Sequence, residues 1–299
     1  MPFSRAAALG YPEGMNFVPA SESPCDPQNP WSRTALALPD MAAVGASGRD
    51  GELLALAGRL AARAAGEIMR IRSRGFTTET KADDSPVTEA DRAAETLIVD
   101  GLRARFPQIA VIAEEEAAAG ISIIPGDEYW LVDPLDGTRE FAAGRDTFTV
   151  NIGLVRDGRV VLGAVALPAF GQLYTGGTMA PARRFDATGM HPISVRAAPE
   201  AGLTILASRH YADDPALAAF IATRPVAERR NFGSAAKFIR LAEGEADLYP
   251  RLGPTMEWDT AAPQAIVEAA GGRVQTFDGD VLAYGKPEWR NPPFLCLGA

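Results

Sequence analysis

Two acids three residues apart carry the strongest chemical signal in the chain. In Asp133-Pro134-Leu135-Asp136-Gly137-Thr138 the apolar run Tyr129 to Val132 predicts a strand that stops at the first carboxylate. Pro134 fixes a backbone dihedral, and Gly137 removes a side chain where a ligand could approach closely. Such a turn aims both acids outward. With the Leu135 carbonyl between them it presents three oxygens, the donor type that a hard cation such as Mg²⁺ requires. If a short helix starts next, the Gly137 and Thr138 N–H groups are donors for a phosphate. Taken alone, the hexapeptide is equally compatible with an ordinary surface turn, in which Asp and Gly are common.

Three further element ends offer acids. Glu114-Glu115-Glu116 follows the strand-like Val111-Ile112-Ala113, Asp91 falls in the first turn of a helix, and Asp259 follows Trp258 where another helix begins. Each has a plain structural alternative: solvated glutamates, completion of a cap at Thr88, or an N-cap before Thr260-Ala261-Ala262. Other phosphate and metal chemistries fit badly. There is no Gly-x-x-x-x-Gly-Lys-Ser/Thr loop, and His191 and His210, the only two histidines, cannot supply His-Glu-x-x-His. Calcium-loop spacing fails between the two aspartates. An aspartyl-phosphate Asp-x-Asp pattern fails too, because two residues intervene, so water is the expected nucleophile.

These acids need rigid elements to hold them. From Glu52 to about Arg72, Leu53, Leu56, Leu60, Ala64, Ile68 and Ile71 recur at helical spacing. Thr88-Glu89-Ala90-Asp91 reads as a capping arrangement for a second helix, which Pro107 stops. Short apolar runs then predict strands at 109–113, 129–132, 148–155 and 160–167, with Arg156-Asp157-Gly158-Arg159 as the hairpin turn between the last two. Beyond Pro168 come strands around Leu173, Ile193 and Leu203 to Ala207, and helices near 215–223, 234–242 and 259–270. The mixture predicts a layered α/β architecture. Residues 1–48, with Ser21-Glu22-Ser23-Pro24 and Asn29-Pro30, read as a disordered extension, and Met41 is a candidate start. Residues 49–299 read as one catalytic domain of two subdomains, roughly 49–190 and 191–299, sharing a cleft.

The composition sets the surroundings. The 299 residues are 47% hydrophobic with a net charge of −9, which argues against a nucleic-acid polymer as partner. Cys25 and Cys296, one near each end, build neither a disulfide framework nor a Cys-rich metal site, and suit a reducing compartment. No apolar run approaches the ~20 residues of a spanning helix, and no signal pattern opens the chain. The expected location is cytoplasmic, with peripheral membrane association left open.

Glu114-Glu115, Asp133 to Thr138 and Trp258-Asp259-Thr260-Ala261-Ala262 together resemble the signatures of the inositol monophosphatase superfamily. Within it the likeness is greatest to the CysQ-type 3′(2′),5′-bisphosphate nucleotidases. Lys81 to Asp91, Arg139-Glu140-Phe141, Phe148 to Ile152, Gly233-Ser234-Ala235-Ala236-Lys237 and Leu248-Tyr249-Pro250-Arg251 carry that likeness, which runs from about Glu52 to the C-terminus. The resemblance implies the α/β/α/β/α sugar-phosphatase fold and Mg²⁺-dependent, Li⁺-sensitive phosphate ester hydrolysis. It makes Glu114, Asp133 and the Leu135 carbonyl ligands of one metal and Asp133, Asp136 and Asp259 ligands of a second, with room for a third. Asp91 and Thr138 would orient the attacking water.

The implied reaction removes the 3′-phosphate of adenosine 3′,5′-bisphosphate, giving AMP and phosphate. Asp136, Gly137, Thr138, Gly233 and Asp259 would line the substrate. Its second phosphate needs a cation, for which Lys237 and then Arg251 are candidates, while Ser208-Arg209-His210 could reach the sugar or base. The plain alternatives are a solvated Lys237 and an Arg251 paired with Glu257. An inositol or other sugar monophosphatase, and a noncatalytic nucleotide or metal binder, are the competing functions. The oligomeric state is open.

Overall fold

The structure, a computed structural model, describes residues 16–18, 31 and 41–299 apart from 82–84 and 212. Expectations that fall on Ser21 to Pro24, Cys25, Asn29-Pro30 and Ala82-Asp83-Asp84 lie outside the described residues. Strands β1 (Asn16–Val18), β2 (Phe76–Thr80) and β3 (Pro86–Thr88) pair antiparallel in that order. The Trp31 indole N–H donates to the Pro168 carbonyl at 2.8 Å.

Strands β4 (Ala110–Ala113), β5 (Glu128–Asp136), β6 (Thr149–Arg156), β7 (Arg159–Leu167), β8 (Gln172–Gly177), β9 (Ala180–Asp186) and β10 (Gly189–Pro192) form a seven-stranded sheet in chain order. All its neighbours are antiparallel except β4 and β5. The β6–β7 turn has Asp157 at φ 51° and Gly158 at φ 69°, the left-handed pair that a tight two-residue hairpin needs. Contrary to the sequence reading, β5 does not stop at Val132. It continues to Asp136 with a register shift between Asp133 and Asp136.

Further along lie β11 (Leu203–Ser208), β12 (Val226–Phe232), β13 (Leu248–Arg251), β14 (Thr255–Met256), β15 (Arg273–Thr276), β16 (Arg290–Asn291) and β17 (Phe294–Leu297). They make a five-stranded sheet of order β12-β11-β13-β17-β15 and a separate β14–β16 pair. The helices are α1 (Met41–Val44), α2 (Gly48–Arg74), α3 (Glu89–Arg105), α4 (Glu114–Ala118), α5 (Thr138–Ala142), α6 (Pro215–Ala222), α7 (Ala236–Ala242) and α8 (Glu257–Ala269).

Helices α2 and α3 bury Leu53, Leu60, Ile68 and Ile98 against Val150, Ile152 and Leu154 on one face of the large sheet. On the other face α7 and α8 join the two sheets in one core containing Tyr174, Ile239, Ile266, Tyr249 and Phe294. The chain moves from β11 to β12 through α6, then back past β11 to β13 through α7. Right-handed crossovers in opposite directions put those helices on opposite faces of the small sheet. The result is the α/β/α/β/α layering.

Gly163 shows how closely α8 approaches. A Cβ there would lie 2.2 Å from the Ala262 carbonyl oxygen, and one at its pair partner Gly153 would lie 2.7 Å from the Ala262 nitrogen. Two glycines therefore let the N-terminal half of α8 sit directly on β6 and β7.

Candidate active site

The alternation of β5 decides where its first acid points. Trp130 and Val132 join the core under α2 and α3, so Tyr129, Leu131 and Asp133 face the other way, toward α8. Asp133 is opposite Asn151 and Asp136 opposite Thr149 on β6. Helix α4 starts at Glu114 directly after β4, the parallel neighbour of β5, so Glu114 and Asp133 stand at the carboxyl ends of adjacent strands. The start of α8 brings Asp259, whose Oδ2 accepts the Met256 N–H at 2.9 Å.

Burial raises all four carboxyls, and neighbouring carboxylates add to it at Asp133, Asp259 and Glu114. Burial, then Glu114, Asp136 and Asp259, push Asp133 well above the carboxylate range. Burial followed by Asp136 and Glu114 pushes Asp259 up to about 8. Burial also raises Asp136 against the opposing pull of Lys237 and the Ala235 N–H, and raises Glu114 against the pull of Lys81. Among the described residues no three carboxylates, histidines or cysteines converge closely enough, as placed, to grip one ion. One reason is visible: Lys81 Nζ donates to Glu114 at 3.0 Å and to Glu115 at 2.6 Å.

The donor set nevertheless suits a hard cation. It is all oxygen and strongly anionic, and beside Asp136 the buried Asn151 amide makes no hydrogen bond of good geometry through either its oxygen or its nitrogen.

Asp91, 1% exposed, completes a capping box at the start of α3. Its Oδ2 accepts the Thr88 N–H at 2.7 Å and the Thr88 hydroxyl at 2.6 Å, while Thr88 Oγ1 accepts the Ala90 N–H at 3.1 Å. The cap uses only Oδ2, and Oδ1 is left to Thr138. Thr138 Oγ1 lies 2.9 Å from Asp91 Oδ1 and 3.1 Å from the Leu135 carbonyl. Burial raises the Asp91 carboxyl to about 7.

Thr138 is the first residue of α5, and Gly137 before it has φ 94°. That left-handed backbone favours glycine. A Cβ at Gly137 would lie 3.2 Å from the Thr147 carbonyl and 3.3 Å from Ser234 Cβ, so the Gly233-Ser234 loop touches this turn. The Ala235 N–H donates to Asp136.

Lys237 is buried, not solvated. Its ammonium donates to the Ser234 carbonyl at 2.5 Å and the Phe232 carbonyl at 3.4 Å, and burial lowers it to about 7. Arg251 lies over the Tyr211 ring and donates to the Gly253 carbonyl at 3.1 Å and the Pro254 carbonyl at 2.6 Å. Glu257, the alternative partner for Arg251, is fully buried and instead accepts the Gly285 and Lys286 N–H groups and pairs with the Lys286 ammonium at 2.7 Å. Arg209 donates to Glu140 at 2.7 Å.

Sequence reasoning assigned no role to Lys81 or Glu95. The Glu95 carboxylate accepts the N–H groups of Glu115 at 2.8 Å and Glu116 at 2.9 Å. Its one local signal is position, four residues after Asp91 and so on the same face of α3.

A layered α/β molecule with Glu114, Asp133, Asp136 and Asp259 at its strand and helix ends, beside a hydroxyl–carboxylate pair, is the class defined by this geometry. The model of the inositol monophosphatase family matches residues 50–293. The chain is 42% identical over 215 residues to the 3′(2′),5′-bisphosphate nucleotidase CysQ of Salmonella typhimurium, covering 72% of this chain and 86% of that one. It is 35% identical over 258 residues to the 3′-phosphoadenosine 5′-phosphate phosphatase of Mycobacterium leprae, covering 82% and 89%. The crystal structure of CysQ from Bacteroides thetaiotaomicron superposes with TM-score 0.67 and 31% identity over 81% of this chain and 96% of that one. The chain belongs to the inositol monophosphatase family. No helix among the described residues is long and apolar enough to cross a membrane.

Proposed function

We propose that this protein is a metal-dependent phosphatase that hydrolyses the 3′-phosphate of adenosine 3′,5′-bisphosphate to AMP and phosphate. The observation that carries the reading is the Thr138–Asp91 pair, at 2.9 Å, beside the buried Asp133 and the half-buried Glu114, Asp136 and Asp259. The names of the nucleotidase relatives support the substrate class.

Glu114, Asp133, Asp136, Asp259 and the Leu135 carbonyl would hold Mg²⁺. When bound, the ions would lower the pKa of water and offset charge on the phosphoryl and leaving oxygens. For Glu114 to join them, Lys81 must give up its contact. Thr138 has a single hydroxyl proton and two acceptors in reach. With that proton donated in a hydrogen bond to Asp91 Oδ1, an oxygen lone pair of Thr138 is left to accept a hydrogen from the attacking water. Asp91, poised at about 7, can take up the proton at neutral pH. The water oxygen forms the new bond to phosphorus, the bond to the ribose 3′-oxygen breaks, and that oxygen takes a proton from a second water as AMP leaves, while Asp91 returns its proton to solvent.

The charges of Lys237 and Arg251 both act on the Asp136 carboxylate. They are the proposed partners of the second phosphate. The test is turnover on adenosine 3′,5′-bisphosphate, inositol 1-phosphate and fructose 1,6-bisphosphate, with Mg²⁺ and with chelator. Preference for the nucleotide and loss of activity in chelator are expected, with Li⁺ inhibitory. Preference for inositol 1-phosphate would overturn the substrate, and undiminished activity without divalent metal would overturn the mechanism.

A further inference from the structure

Helix α4 begins at Glu114, the proposed metal ligand, and is only five residues long. Its N-cap position is Ala113, whose side chain cannot cap, so the first N–H groups need an acceptor from elsewhere. Glu95 supplies it across 20 residues of sequence. Its two carboxylate oxygens take one N–H each, from Glu115 at 2.8 Å and Glu116 at 2.9 Å. The side chain is 7% exposed, so water does not compete freely for either oxygen.

Glu95 also stands one turn beyond Asp91 on α3. Asp91 is fixed at its end by Thr88 and touches Thr138. One rigid helix therefore holds the proposed water-orienting pair with one residue and the backbone beneath Glu114 with the next residue on that face.

We infer that Glu95 is a positioning residue, which sets the distance between the Glu114 carboxylate and the Asp91–Thr138 pair and so tunes metal affinity without touching metal or substrate. The inference rests on the metal-dependent reading above. A glutamine is the same shape but offers one acceptor oxygen and, on the other side, an NH₂ that would face an N–H. The start of α4 then loses one of its two anchors, and Glu114 loses its fixed placement.

Mg²⁺ and Mn²⁺ binding to the full chain, measured by calorimetry, tests this in wild type, Glu95→Gln and Glu95→Asp. Thermal unfolding in chelator, and kcat and KM with the nucleotide at saturating metal, accompany it. Supporting partners behind metal ligands are typically worth 10- to 100-fold in affinity. Glu95→Gln is expected to weaken metal binding about 10-fold or more, with KM at saturating metal little changed and Glu95→Asp recovering part of the loss.

Asp247→Asn is the control for general destabilisation. It breaks a comparable tie, to Arg196 at 2.8 Å and to the Thr204 N–H at 2.7 Å, away from the carboxylates, and should leave metal affinity unchanged. Wild-type metal affinity in Glu95→Gln would overturn the inference alone. Equal losses in Glu95→Gln and Asp247→Asn would also overturn it, because general destabilisation would then explain the effect. Absence of metal binding by wild type would overturn the reading on which it stands.

Discussion

Asp91→Asn should separate catalysis from stability by moving them in opposite directions. The two Thr88 donors, at 2.6 and 2.7 Å, draw the amide oxygen of the new side chain, which leaves its NH₂ facing Thr138. Thr138 must then accept from that NH₂ and turn its own proton to the Leu135 carbonyl, 3.1 Å away. It can no longer pass a proton from water to a carboxylate. The loss of general acid–base help predicts a fall in kcat of about 10²- to 10⁴-fold.

Stability of the metal-free protein should rise. Burial raises the native Asp91 carboxyl from its ordinary 3.8 to about 7. Below about pH 4 both folded and unfolded wild type carry that proton, and the variant has no advantage. Between about pH 4 and 7 the unfolded chain releases the proton while the native site resists. Wild type therefore loses stability as pH rises through this window, and the deficit is constant above it. At 1.36 kcal/mol per decade of acidity the deficit is about 4 kcal/mol, or about 10 °C in Tm for a domain of this size. Thermal unfolding of both proteins in chelator at pH 4 and pH 8.5 reads it directly. An asparagine variant no more stable than wild type at pH 8.5, or one that retains a tenth of the wild-type kcat, would refute the reasoning.

Metal should stabilise the same fold that it activates. Saturation at 100 times Kd adds about 2.7 kcal/mol, so Tm should climb with Mg²⁺, and an unchanged Tm would count against a built metal site. Gly163→Ala places a Cβ 2.2 Å from the Ala262 carbonyl, a contact that only a backbone shift of α8 relieves. A loss of about 1–3 kcal/mol in denaturant unfolding is expected, and no loss would contradict the close approach of α8. Lys237→Ala and Arg251→Ala should raise KM for adenosine 3′,5′-bisphosphate at least about 10-fold, the scale of a charge-assisted hydrogen bond, and raise it less for inositol 1-phosphate. Equal effects on both substrates would remove these residues from recognition of the second phosphate.

The parts of the fold visible in the letters are those held by local periodicity. The apolar spacing in α2 and the Thr88–Asp91 cap of α3 are local, and so is the Asp157-Gly158 turn. Strand β12 escaped because Val226–Phe232 pairs on one side only and carries Glu228, Arg229 and Arg230, so no alternation marks it. The course of β5 through Asp133 was hidden for another reason. Proline and aspartate are poor strand residues, and only pairing of Asp136 with Thr149 across a register shift keeps that segment in the sheet. In the site, acids at element ends could be picked out one by one, but their supports could not. Lys81 reaches Glu114 across 33 residues and Glu95 reaches Glu115 across 20, contacts that no local pattern encodes.

Lys237 shows what long-range packing adds to a residue type. A lysine after Gly233-Ser234 invites a reading as an open cation, yet folding sinks it beneath the loop that precedes it. There it ties the Phe232 and Ser234 carbonyls while its charge acts on Asp136. The same loop delivers the Ala235 N–H to Asp136, and Glu140, two residues after Thr138 on α5, takes the Arg209 guanidinium from just past the end of β11. The links therefore run from Asp136 at the end of β5 and Glu140 on α5 to the segment between β12 and α7 and to the residue after β11. A cation bound by Asp136 would be felt through this loop as well as through the carboxylates. By that route one bound charge would hold the Asp133–Thr138 turn and the Gly233–Lys237 segment in a common arrangement.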